Sequence, residues 1–133
     1  MLKDKDIEFL IVHCSDTPDA KDIGAIDIHK MHISFGWDGI GYHKIIRRDG
    51  QTENGRPEYW VGAHTYGLNK KSLGVCLIGS TKFTSKQLIS LRKILDKWIL
   101  NYPQAKIIGH RDAIKTSKTC PNFNVKQWYY RDA

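Results

Sequence analysis

Apolar and polar positions follow two rhythms along this chain. Wholly apolar runs occupy residues 9–12 (Phe-Leu-Ile-Val) and 73–78 (Leu-Gly-Val-Cys-Leu-Ile), and residues 105–109 (Ala-Lys-Ile-Ile-Gly) read as a last strand. Runs of this length predict strands buried on both faces. Gly74, inside the second run, predicts a bulge or a close backbone approach. A helical rhythm holds over residues 84–102. Leu88, Leu91, Leu95, Trp98 and Tyr102 share one face, Thr84 and Gln87 supply a capping box, and Pro103 follows the end. Residues 23–35 carry a second stripe, Ile23, Ile26, Lys30 and Ile33 with Met31 beside it, and Gly36 stops it. Residues 42–47 and 51–54 read as strands around the Asp49-Gly50 turn. Turn residues fill positions 15–19, and Asn124 caps a short last helix through Tyr129. Strands and helices mix without a linker or repeat. The expectation is one α/β domain over residues 1–133, a central mixed sheet flanked by helices.

Composition narrows the partners. The chain has 133 residues, 41% hydrophobic and 26% charged, which suits one folded soluble domain and not a disordered one. Its net charge is +7, with no block of five like charges and hence no basic tail. Such a surface favours polyanions, nucleic acid or the anionic bacterial wall among them. No helix-turn-helix, aromatic RNA-binding motif or finger spacing is present, so no specific nucleic-acid partner is expected. Cys14, Cys76 and Cys120 make an odd set, which predicts reduced thiols and synthesis in the cytoplasm. Residues 1–8 are charged and offer no apolar signal-peptide core. No run reaches transmembrane length, so no membrane partner is expected, and the chain is read as a monomer.

The candidate chemistry sits at strand ends. His13 follows the first apolar run, and His110 follows Ile107-Ile108-Gly109. A histidine ending a buried strand is more often a structural hydrogen-bonding residue than a ligand. If the two strands are parallel neighbours, however, both imidazoles emerge at the same sheet edge, where ligand sites gather. Cys120 lies in the polar, basic turn Lys118-Thr119-Cys120-Pro121. It is either a small buried residue or a thiol primed for metal. Two imidazoles and a thiol suit zinc and leave a fourth corner free. The spacing alone does not decide between these readings.

Other candidates divide similarly. Tyr42 is a strand tyrosine packed on a helix, or a group beside the metal. His43 alternates to the opposite face and reads as core or as a hydrogen-bond partner of a ligand. His29 and His32, three apart on a helix, read as solvated. His64 sits in a glycine- and tyrosine-containing loop. Cys14 and Cys76 read as small buried residues.

Many ordered motifs resemble the zinc-dependent N-acetylmuramoyl-L-alanine amidases, a family that includes phage amidase-type lysozymes and animal peptidoglycan recognition proteins. They are Val12-His13-Cys14-Ser15, Gly36-Trp37, Ile40-Gly41-Tyr42-His43, Arg48-Asp49-Gly50, Gly55-Arg56, Val61-Gly62-Ala63-His64, Asn69, Ser72-Leu73-Gly74-Val75, Gly109-His110-Arg111-Asp112 and Lys118-Thr119-Cys120-Pro121. The match runs from about Phe9 to Trp128, and the phage branch looks nearest. The resemblance implies an amidase-like fold and one zinc ion held by His13, His110 and Cys120. It implies catalytic roles for Tyr42 and Lys118, and a place for His64 near the substrate cleft. It further implies hydrolysis of bacterial peptidoglycan between N-acetylmuramic acid and L-alanine, as an endolysin reaching the wall after membrane permeabilisation. The alternative is a non-catalytic peptidoglycan-binding module. Relatives of that kind lose the cysteine ligand, which is present here as Cys120.

Overall fold

The apolar runs become the centre of a five-stranded sheet in the computed structural model, which describes residues 1–113 and 119–131. In chain order the elements are β1 (Phe9–Cys14), α1 (Ala25–Ser34), β2 (Lys44–Ile46), β3 (Thr52–Asn54), β4 (Ser72–Leu77), α2 (Ser85–Asn101), β5 (Lys106–Gly109), α3 (His110–Ala113) and α4 (Val125–Arg131). Short 3-10 turns cover Asp4–Asp6 and Asn69–Lys71. The strand order is β3-β2-β4-β1-β5. β2, β4, β1 and β5 run parallel, and β3 returns antiparallel to β2 at the edge. β1 and β4 lie inside the sheet, which explains why both are apolar at nearly every position.

Helices cover the two faces unequally. Leu10, Val12, Leu73, Val75, Leu77 and Ile107 point to one face and pack on Leu91, Leu95 and Trp98 of α2 and Val125 of α4. The capping box at Thr84 forms as expected. Gln87 does more than cap: its fully buried amide donates to the Ile78 and Ile46 carbonyls at 2.8 and 3.3 Å and so ties α2 to the sheet. On the other face Ile45 and Ile78 meet Ile23, Ile28 and Ile40, with Ala25 and Met31 of α1 packed against them. Among the described residues no helix is long and apolar enough to cross a membrane.

The stripe predicted for the first helix is not the buried one. Ile26 and Ile33 are 62% and 48% exposed, whereas Ile28 and His32 are buried. A hydropathy count treats histidine as polar and misses this face. His32 is not solvated: its Nδ1 accepts the Gly41 N–H at 3.0 Å, and His29 Nδ1 accepts the Ile40 N–H at 3.1 Å. Two α1 histidines therefore hold the segment entering β2. Gly41 presses against the Ala63 backbone, where a Cβ would lie 2.1 Å from the carbonyl oxygen. The predicted strand at 42–47 is shorter than expected, so Tyr42 and His43 lie just before β2. His43 is core: its Nδ1 accepts the Gly74 N–H at 3.1 Å, and its Nε2–H donates to the Trp60 carbonyl at 2.8 Å.

Burial, the largest cause in each case, holds the His32 and His43 pKa below the ordinary value. Both rings also accept backbone N–H bonds, which requires an unprotonated Nδ1. The unfolded chain binds these protons below about pH 6.5, and the folded chain resists them. Stability should therefore be level above that pH and fall as the pH drops below it. Urea midpoints measured between pH 8 and pH 5 check this; a midpoint constant across the range would refute it.

Candidate active site

The parallel pairing of β1 with β5 builds the site. Val12 is in register with Gly109, so His13 and His110 are the next pair along. Their ring centroids lie 4.5 Å apart. Both emerge at the carboxyl end of parallel strands, as the condition set by the sequence required. Cys120 arrives from the turn before α4. The Arg111 N–H donates to the Cys120 carbonyl at 2.9 Å, and the Cys14 N–H donates to Cys120 Sγ at 3.0 Å. One ligand atom from each of His13, His110 and Cys120 falls within 4.8 Å of the others.

This donor set fits a metal. At zinc bond lengths of about 2.0–2.3 Å, tetrahedral ligand atoms stand roughly 3.3–3.8 Å apart. The observed spacing needs only a small closure. The protonation chemistry also suits a cation. Burial first, then repulsion from His64 and His110, holds the His13 pKa well below its ordinary value. The neutral imidazole is the form that binds metal. Hydrogen bonds from Cys14, its thiol first and its backbone N–H as well, draw the Cys120 pKa down toward the thiolate that a metal requires.

The three side chains line a cleft of about 430 Å³ together with Tyr42, His64 and Trp37. Tyr42 packs beside His13, with centroids 5.1 Å apart. Its position follows from the α1 histidines that hold Ile40 and Gly41. Burial, then the Cys76 and Cys120 sulfurs, push its phenol well above its ordinary pKa, so it stays protonated at neutral pH. His64 also reaches the cleft, and its Nδ1 lies 2.9 Å from His13 Nε2. Lys118 falls outside the described residues. Cys76 is fully buried, and Cys14 is buried with its backbone N–H turned to Cys120.

The sequence motifs included Asn69 and Ser72 without giving them a task, and Thr65 was not singled out. Asn69 Oδ1 accepts the N–H of both His64 and Thr65, at 2.9 and 2.8 Å. Thr65 Oγ1 lies 3.0 Å from His64 Nδ1, and Ser72 Oγ 3.4 Å from His64 Nε2. One signal did exist. Gly74 predicted a close approach, and the approaching group is the His64 ring: a Cβ on Gly74 would lie 2.6 Å from its Cγ.

Known proteins agree with this architecture. The sequence pattern described as N-acetylmuramoyl-L-alanine amidase matches residues 3–123. The endolysin of Enterobacteria phage T3 is 38% identical over 133 residues, covering 94% of this chain and 87% of its own. The solved endolysin amidase LysCS from Clostridium intestinale superposes with a TM-score of 0.79 at 30% identity, covering 90% of this chain and 77% of its own. A Drosophila PGRP-LB variant solved in complex with tracheal cytotoxin has a TM-score of 0.78 at 25% identity, covering 94% and 79%. The family pattern spans β1 with His13, β5 with His110 directly after it, and the turn that carries Cys120, and on that breadth of agreement the chain belongs to the N-acetylmuramoyl-L-alanine amidase family.

Proposed function

We propose that this protein is a zinc-dependent endolysin that hydrolyses the amide between the lactyl group of N-acetylmuramic acid and the L-alanine of the stem peptide in bacterial peptidoglycan. The observation that carries the reading is the convergence of His13, His110 and Cys120 from two adjacent parallel strands and a distant turn. Those three side chains would hold one zinc ion at the floor of the cleft they line. When bound, zinc lowers the pKa of a water to about 7 and polarises a carbonyl.

The chain's own groups do the rest. Tyr42 keeps its proton and donates it as a hydrogen bond to the carbonyl oxygen of the scissile amide as negative charge grows there. Lys118, two residues before Cys120, adds a positive charge to the same oxygen. The cleft walls orient the amide, which replaces a bimolecular encounter by a fixed geometry. Made in the cytoplasm, the enzyme meets its substrate after the membrane is permeabilised, and it acts as a monomer with no specific nucleic-acid partner.

Three outcomes follow for the purified protein. Digested wall should accumulate new L-alanine amino termini and no new reducing ends; reducing ends would mean a glycosidase, and binding without turnover in zinc buffer would mean a binding module. Cys120→Ser should lose zinc and most activity. Cys14→Ser should retain both, because the Cys14 N–H bond to Cys120 Sγ survives the change and the serine hydroxyl can still donate where the thiol did; metal analysis of the two variants separates them, and equal losses would overturn the ligand set. Tyr42→Phe should bind zinc normally and lower kcat by roughly 10²–10³, whereas a change confined to KM would remove Tyr42 from the chemistry.

A further inference from the structure

The hydrogen bonds behind His13 have a direction, and it can be read from their far end. Ser72 Oγ lies 2.7 Å from the Leu68 carbonyl oxygen, which can only accept. The Ser72 hydroxyl therefore spends its one proton there. What it offers His64 Nε2, 3.4 Å away, is a lone pair, so His64 carries its proton on Nε2. His64 Nδ1 is then an acceptor, and the 2.9 Å bond to His13 Nε2 needs a proton from the His13 side. A neutral His13 protonated at Nε2 has its lone pair on Nδ1. Thr65 Oγ1, 3.0 Å from His64 Nδ1 and 3.2 Å from His13 Nε2, can donate to the first and accept from the second.

We propose that His64 is a positioning residue for the metal: backed by Ser72 and the Leu68 carbonyl, it locks His13 as the Nε2–H tautomer and so presents Nδ1 as the ligand atom. This rests on the reading of His13 as a zinc ligand. It gives His64 a task other than touching substrate, since hydrogen bonds engage both of its ring nitrogens. The fold keeps a slot for the ring. A Cβ on Gly62 would stand 2.6 Å from His64 Cδ2, and one on Gly74 would stand 2.6 Å from His64 Cγ. The loop is fixed from below by Asn69, which takes the His64 and Thr65 N–H groups on one oxygen. Ligand histidines generally need such a partner on the second nitrogen to hold tautomer and ring orientation.

The test compares His64→Asn, His64→Gln and His64→Leu in the full chain. Asparagine places an acceptor oxygen near the Nδ1 position; glutamine places its amide near Nε2; leucine offers no acceptor. Zinc affinity is read by competition with a chelator of known strength, and the His13 tautomer by nitrogen chemical shifts of the imidazoles in the metal-free protein. The proposal expects the wild type to show His13 protonated at Nε2. It expects His64→Asn to keep that tautomer and nearly all affinity. His64→Gln and His64→Leu should lose about 10–100-fold in zinc affinity and show His13 as a tautomer mixture. Wild-type affinity in a folded His64→Leu, or equal losses in all three variants, overturns it. So does a wild-type His13 protonated at Nδ1. A raised KM with unchanged zinc affinity would make His64 a substrate contact instead. The underlying metal assignment fails separately, if His13→Ala binds zinc as tightly as the wild type.

Discussion

The register between β1 and β5 is the constraint on which the site depends. Two parallel strands paired Val12 to Gly109 bring His13 and His110 out side by side, and no loop has to be folded to achieve it. A slip of one residue would turn His13 into the α2 face and Val12 into the cleft, because side chains alternate across the sheet. The register is guarded by the core itself. Leu10, Val12, Leu73, Val75, Leu77 and Ile107 fill one face against α2 and α4, so slippage would expose apolar surface along several strands at once. The placement of the two candidate ligands thus follows from packing that also serves stability.

The opposite face of the same strands is unusually rich in imidazole. His13, His32, His43 and His64 are all buried there. Burying a polar ring without partners is costly, and each of these rings has them. His32 and His43 accept backbone N–H groups and position the chain on either side of Tyr42. His13 and His64 bond to each other. Low pKa values follow from burial and mutual repulsion, and neutrality is the state that metal binding demands. The same environment keeps Tyr42 protonated, so one imidazole-rich face holds a candidate ligand and a hydrogen-bond donor together.

Cys120 differs from the two histidines in how it is held. Its position depends on backbone contacts, the Arg111 and Cys14 N–H groups, and on Asn122, whose side chain donates to the Ser80 carbonyl at 2.6 Å. The candidate set therefore pairs two imidazoles placed by strand pairing with one sulfur placed by a turn.

The sequence by itself determined the strands, the long capped helix and the three ligand candidates, because each is written locally: apolar runs, a 3.6-residue stripe, a histidine at a strand end. Its motifs also carried the family. It misplaced the buried face of α1, since the residue that defines that face, His32, counts as polar until its Gly41 partner is seen. Only the tertiary structure decided which strands are neighbours, that Gly74 makes room for His64, and that a serine, a threonine and an asparagine scattered over residues 65–72 stand behind His13. Those facts concern distances between residues far apart in the chain. Hydrogen-bond direction, and with it the proposed choice of ligand nitrogen, exists only once both ends of each bond are in place.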